Sequence, residues 1–180
     1  MSANSPADKI IYTPPSSSVP LSPKKEGNKS SFWVFFISVI ITALVGFSFT
    51  KDSLKDGGWY SQLKLPSWIP AKSVFPIVWS ILFILMIIGG YWSDYQQVQK
   101  GQDTSKSRLF FFMSLVFNAM WSYAFFYNHD ISSAVAVNVL LILSIIGYMV
   151  YAPIGRYFFI PYLLWSLFAL AITINVRMLN

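Results

Sequence analysis

Five long apolar segments, separated by shorter polar ones, occupy most of the chain after residue 31. They run at 31–50, 74–93, 109–127, 132–151 and 157–176. A bilayer core about 30 Å thick is crossed by about 20 helical residues, and a backbone in lipid has to satisfy its own hydrogen bonds. The pattern therefore predicts an all-α membrane protein, a bundle of five transmembrane helices.

The polar segments between these spans are unequal. Residues 1–30 are rich in Ser, Pro and Lys and predict a disordered tail ahead of a membrane domain at 31–180. The first connection, Lys51–Ser73, is rich in Trp and Pro, unlike a polar Gly/Ser linker. We expect this long first loop to fold back over one end of the bundle as a lid. The last two connections are short and predict antiparallel neighbouring helices.

Composition narrows the chemistry. The chain is 55% hydrophobic and 11% charged, against about 25% charged in a soluble domain. It has no cysteine and one histidine, His129, so disulfides, a thiolate nucleophile, a metal site and a Ser-His-Asp triad lack support. The net charge of +6 comes from tail and loop residues and indicates contact with lipid headgroups rather than nucleic acid.

Ionisable groups are predicted to lie outside the spans. The aspartates at 52, 56, 94, 103 and 130 are all assigned to connections, which argues against a proton pump or an ion-coupled transporter. Asn118 and Asn138 are instead polar residues within spans, and Trp121 shares a helix face with Asn118. Each asparagine either forms an interhelical hydrogen bond, which is the favoured interpretation, or contacts a ligand. Gly89-Gly90 predicts a close helix contact.

Four ordered motifs resemble the tryptophan-rich sensory protein / translocator protein (TspO/MBR) family. Residues 59–70, WYSQLKLPSWIP, are similar to its first loop, and 75–79, FPIVW, to the start of its second span. Residues 117–121, FNAMW, and 161–165, PYLLW, are similar to its third and fifth spans. The resemblance extends from Gly46 to the final Asn180.

The resemblance implies a five-helix bundle in which the first loop folds over a ligand pocket. It assigns Tyr60 and Trp68 to the lid, and to the pocket wall it assigns Trp79, Phe83, Asn118, Trp121, Trp165 and Ala169. It implies binding of tetrapyrroles, of porphyrin or haem type, and of other hydrophobic ligands such as sterols, in stress response or tetrapyrrole homeostasis. No required cofactor, catalytic residue or metal ligand is assigned.

The chain departs from the family pattern at several positions. Asn138 stands where an acidic residue is usual, and Leu65 replaces a loop lysine. Arg156 stands near small pocket residues of the family, so we expect an arginine to intrude into the pocket. The C-terminal cholesterol motif of animal members is absent, which makes a dedicated sterol role less secure.

Two active alternatives to simple binding stay open at this stage, beside a third in which the chain is an interaction scaffold with a vestigial pocket. One is an enzyme that degrades porphyrin with light and oxygen, with Trp79 and Trp165 as electron donors, and the other is a sterol or lipid transporter. Expected partners are membrane lipid and a porphyrin or sterol ligand; a homodimer stays open, and no nucleic acid is expected. The sequence predicts a multi-pass integral membrane protein in the outer mitochondrial membrane, the secretory pathway or a bacterial envelope.

Overall fold

The computed structural model describes residues 29–180, so most of the predicted tail lies outside the described residues. Within that range the chain is all-helical and contains five helices long and apolar enough to cross a membrane. The prediction of a five-span, multi-pass membrane protein is confirmed. The elements are α1 (Lys29–Thr50), a short α2 (Trp59–Gln62), α3 (Val74–Gln99), α4 (Ser105–Ser122) continued by a π-helical turn (Tyr123–Tyr127), α5 (Ile131–Tyr151) and α6 (Gly155–Leu179).

The five long helices close into a ring. α1 packs against α3 and α4, α3 packs against α6, and α5 lies between α4 and α6. The short connections at 128–130 and 152–154 make α4, α5 and α6 antiparallel neighbours, as predicted. One end of the bundle, here called the loop end, carries residues 51–73 and 128–130. The opposite end, here called the tail end, carries residues 100–104 and 152–154.

The predicted connection between the second and third spans is too long at both ends. The second span was expected to end at Ser93, but α3 continues to Gln99, and the expected 94–108 connection shortens to 100–104. Asp94, assigned to that connection, therefore lies in a membrane-spanning helix and is buried. The carboxylate is tolerated there because Arg108 of α4 pairs with it.

Glycine allows α3 to approach its neighbours, as the Gly89-Gly90 pair predicted. A Cβ on Gly89 would lie 2.7 Å from Cβ of Phe158 on α6. A Cβ on Gly90 would lie 2.7 Å from the Phe111 ring and 2.8 Å from the Phe35 ring. The missing side chains thus bring α3 against α6, α4 and α1 in the tail-end half of the bundle.

Candidate functional site

The first loop packs onto the loop end of the bundle. Tyr60, at the centre of α2, is buried and lies against the rings of Phe125 and Phe126, with centroids 6.5 and 5.9 Å away. Burial raises the pKa of the Tyr60 phenol above its ordinary value, because the charged form would lose its water. The Tyr60 side chain is therefore uncharged and fills the space between the loop and the rings of Phe125 and Phe126.

Three contacts hold the loop in this position. The Trp59 ring stacks on His129 at 4.4 Å between centroids and 11° between planes. The Ser53 hydroxyl donates a hydrogen bond to the carbonyl oxygen of Phe126. The Asn180 side chain pairs with the backbone of Lys64: its Oδ1 accepts from the Lys64 N–H at 3.0 Å and its Nδ2 donates to the Lys64 carbonyl at 3.1 Å.

Trp68, the second residue that the resemblance assigns to a lid, lies at the edge of this arrangement. Its side chain is exposed, and its ring centroid is 5.7 Å from that of Phe168 on α6. Phe168 in turn lies 5.4 Å from Trp165, whose ring is 5.6 Å from Phe75 at the start of α3. A continuous run of rings therefore leads from the loop to the contact between α3 and α6.

Two predicted site residues meet at a tyrosine that the sequence interpretation did not select. Asn118 of α4 donates a hydrogen bond from Nδ2 to the Tyr162 hydroxyl of α6 at 2.9 Å. The ring of Trp79 on α3 lies 6.1 Å from the Tyr162 ring and 5.5 Å from Phe83. The interhelical hydrogen bond favoured for Asn118 is thus present. In the sequence, Tyr162 is part of the PYLLW motif but is not among the predicted site residues.

Other buried polar atoms in the bundle have no hydrogen-bond partner in the structure. In the middle and loop-end parts of the spans these are the indole N–H of Trp121, both amide atoms of Asn138 and the hydroxyl of Ser166, which lies in the middle of α6. Asn138 and Ser166 are each 1% exposed. Leaving such a group unpaired costs about 1–3 kcal/mol, so each of these unpaired atoms requires an explanation. Asn138 differs from Asn118 in this respect, and nothing in the sequence signalled Ser166.

The predicted residues fall into two packed groups. Trp79, Phe83 and Trp165 pack against the larger core, which contains Tyr162. Tyr60 and Trp121 belong to a second cluster at the loop end, together with Phe168. Ala169, half-buried on α6, accepts a hydrogen bond at its carbonyl from the Thr173 hydroxyl at 2.7 Å. The ligand-binding roles of these residues stay predictions.

Arg156 lies at the tail end of the bundle. It is the second residue of α6, which is 25 residues long and therefore spans about 37 Å. The side chain starts at the tail end, whereas Tyr60 and Trp68 lie at the loop end. The connection 152–154 thus places this arginine at the end of the bundle opposite the first loop, and its intrusion into a ligand pocket stays a prediction.

An open cavity lies on the outside of the bundle. It has a volume of about 480 Å³ and lies between α1 and α4, where Thr42, Val45, Leu115 and Ala119 contribute to its apolar wall. None of the predicted ligand-binding residues lines it. Because this groove faces outward from two membrane-spanning helices, its surroundings are lipid chains.

Comparison with known proteins places this arrangement in context. The family model described as TspO/MBR family matches residues 34–179. Protein CrtK of Rhodobacter capsulatus is 29% identical over 153 residues, covering 83% of this chain and 92% of that protein. The tryptophan-rich sensory protein of Cereibacter sphaeroides is 26% identical over 152 residues, covering 82% and 92%. The tryptophan-rich protein TspO of Chlorobaculum tepidum is 29% identical over 147 residues, covering 76% and 89%.

Proposed function

The chain belongs to the TspO/MBR family, and from this premise we propose that it is a membrane-embedded binding protein for flat hydrophobic ligands of the tetrapyrrole class. The observation that carries the proposal is a combination within the loop-end half of the bundle. Aromatic rings are close together there, and fully buried polar atoms have no protein partner. The proposed role is in tetrapyrrole homeostasis or stress response.

The aromatic part of the site suits a planar ligand. Trp79, Trp121 and Trp165 lie on three different helices and each contacts at least one further ring. Aromatic contacts contribute about 0.5–1.5 kcal/mol per pair beyond the burial of area. Ligand sites are mostly apolar with a few directing polar groups, and the Asn118–Tyr162 hydrogen bond supplies one such polar point between α4 and α6.

Ligand entry requires the first loop to move. Tyr60 fills the space against Phe125 and Phe126, and both Asn138 and Ser166 are sealed from solvent. Besides the packing of Tyr60, the loop is held by a stacked ring pair, a hydroxyl hydrogen bond, the contact of Trp68 with Phe168 and the Asn180 pairing, and it lies outside the long helices. Such a segment opens at lower free energy than the helical bundle.

The two alternatives from the sequence, porphyrin degradation and sterol or lipid transport, both begin with binding in the membrane domain. Binding is therefore the step to test first. The distinction between them follows from what a bound ligand does next: a ring-opened pigment formed under light and oxygen indicates an enzyme, and saturable exchange between vesicles indicates a transporter.

The test is a titration of the detergent-solubilised protein with protoporphyrin IX. Porphyrin emission is followed together with tryptophan quenching, because removing a tryptophan changes the protein signal itself. We expect one saturable site, weakened at least tenfold, about 1.4 kcal/mol, in a variant carrying Trp165→Phe and Asn118→Ala. Trp92→Phe is the matched control, since Trp92 is an exposed tryptophan towards the tail end of α3. Unsaturable quenching, or equal affinity in all three proteins, would contradict the proposal.

A further inference from the structure

Asn138 has a buried side-chain amide that lacks a hydrogen-bond partner. It lies on the inward face of α5 between Ala134 and Leu141, both buried, and is itself 1% exposed. Neither its Nδ2 nor its Oδ1 has a hydrogen-bond partner. Asn118, a chemically identical side chain on α4, is paired with Tyr162. The unpaired state is therefore specific to the position of Asn138 and not a general property of asparagine in this bundle.

The other two unpaired groups lie at a similar depth. Trp121 precedes the 128–130 connection by about seven residues, and Asn138 follows it by about eight. Ser166 follows the 152–154 connection by about twelve residues, and Asn138 precedes it by about fourteen. At 1.5 Å per residue the three positions lie within about 4.5 Å of one another along the bundle axis, with Asn138 between the other two. One layer of the bundle therefore carries unpaired groups from α4, α5 and α6.

The polar groups of this layer are uncharged and include both hydrogen-bond donors and hydrogen-bond acceptors. The indole N–H of Trp121 only donates, the Ser166 hydroxyl donates and accepts, and the Asn138 amide offers two donors and an acceptor. A free amide is complemented by a group that carries an acceptor beside a donor, as in a lactam or a protonated carboxylic acid. Within α4 and α5 the charged residues Lys106 and Arg108 lie in the first turns of α4 at the tail end, and no cation stands at this depth. An ionised carboxylate would be desolvated there without a counter-charge.

We infer that Asn138, with Trp121 and Ser166, recognises a neutral lactam edge, so that the site prefers linear tetrapyrroles with terminal lactam rings over closed porphyrin macrocycles. A lactam C=O accepts from Asn138 Nδ2 and its N–H donates to Asn138 Oδ1. This inference rests on the proposed function, since it concerns the same interior site. It adds the ligand group that is recognised, a lactam, and the residue that binds it, Asn138.

The experiment compares three probes: biliverdin dimethyl ester, which has lactams and no free acid, protoporphyrin IX dimethyl ester, which has neither, and protoporphyrin IX with free acids. Each is titrated into wild type, Asn138→Leu, Ser166→Ala and the control Asn175→Leu. Asn175 is also on α6 but pairs with the Ala171 carbonyl of its own helix. We expect wild type and the control to bind the biliverdin ester at least tenfold more tightly than the porphyrin ester.

Asn138→Leu should weaken binding of the biliverdin ester at least tenfold and bring that ratio to about one, and Ser166→Ala should lower the ratio partly. Without ligand, the melting temperature of Asn138→Leu should not fall, because an unpaired amide is replaced by an apolar group of similar size. A lower melting temperature would mean that the amide is paired, and would overturn the inference.

The remaining outcomes separate the two proposals. Saturable binding of both esters with equal affinity, or a lactam preference that survives Asn138→Leu, overturns the inference and leaves the proposed function standing. A preference for the free acid that disappears in Asn138→Leu replaces the lactam by a protonated carboxyl group and also overturns it. Absence of saturable binding for all three probes removes the proposed function itself.

Discussion

Asp94 on α3 and Arg108 on α4 form a two-pronged ion pair at the tail end of the bundle. Arg108 Nε donates to Asp94 Oδ1 at 2.6 Å and Nη2 donates to Oδ2 at 2.9 Å. The Asp94 side chain is 3% exposed, and the Ser31 hydroxyl of α1 also donates to it at 2.5 Å. One buried carboxylate thus connects three of the five spanning helices.

We predict that Arg108→Leu destabilises the protein strongly and that Asp94→Leu/Arg108→Leu recovers much of the loss. The single change leaves a buried carboxylate unpaired. Breaking a buried pair costs about 3–5 kcal/mol, and the half-exposed arginine reduces this to about 2–3 kcal/mol. Thermal unfolding in detergent measures the effect, with Lys100→Leu as a control for loss of an exposed charge at the same end. A double variant less stable than the Arg108→Leu single would contradict this account.

The glycine contacts of α3 predict a contrast between two helical glycines. Gly89→Ala should lower stability by about 1–3 kcal/mol, because the new methyl group would lie 2.7 Å from Cβ of Phe158, an atom fixed to the α6 backbone. Gly46→Ala should be neutral or stabilising by up to about 1 kcal/mol, since its nearest neighbour is the Ser122 hydroxyl at 3.6 Å and alanine favours helix. Melting temperatures of the two variants under one detergent condition test this, and equal shifts would show that α3 and α6 do not touch here.

The five spans could be predicted because hydropathy over about 20 residues depends on the lipid and not on partners. The end of α3 could not, since it depends on Arg108 being placed opposite Asp94 by a turn of only five residues, 100–104. A prediction from hydropathy ends the span at the first carboxylate. An ion-pair partner on the next helix allows the spanning helix to continue past that carboxylate.

Asn118 and Asn138, two of the asparagines within the spans, mark a second limit. Both were given the same interpretation, yet Asn118 is paired and Asn138 is not. The outcome depends on which side chain a neighbouring helix presents at the same depth, here Tyr162. The pairing depends on the order of the helices around the bundle and on the rotation of each helix about its axis. The periodicity of a single segment does not predict either of these. Tyr162 is part of the PYLLW motif, but the motif alone assigns no role to it.

The start of α5 predicts a pH effect at the loop end. Asp130 caps this helix: its Oδ1 accepts from the Ser133 N–H at 3.0 Å and its Oδ2 from the Ser133 hydroxyl at 2.5 Å. The hydrogen bond from the Ser133 hydroxyl, with that from its N–H, holds the Asp130 pKa below its ordinary value. A depressed folded pKa means that the stabilisation is complete above the unfolded pKa, about 3.9, and is lost as the pH falls through the lower folded pKa.

Wild type should therefore be more stable than Asp130→Ala at pH 6, with the difference in melting temperature shrinking as the pH falls below about 4. Melting temperatures of both proteins between pH 3 and 6 provide the measurement. Asp56→Ala is the control, because Asp56 lies in the first loop outside any helix. A difference that stays constant over this range would mean that the charge of Asp130 does not stabilise the helix start.

The pairing of Asn180 with Lys64 predicts how the first loop is released. Asn180→Ala removes two hydrogen bonds to the Lys64 backbone. At about 0.5–1.5 kcal/mol each, their loss should raise the opening equilibrium of the loop about tenfold. Hydrogen exchange of peptides covering residues 60–66 should quicken by that factor while the interior of α3 stays protected. Asn175→Ala is the control, because Asn175 bonds only within α6. If the loop is the lid of the proposed site, porphyrin should also associate faster with Asn180→Ala. Faster exchange without faster association would separate loop opening from ligand entry and place the entry route between the helices instead.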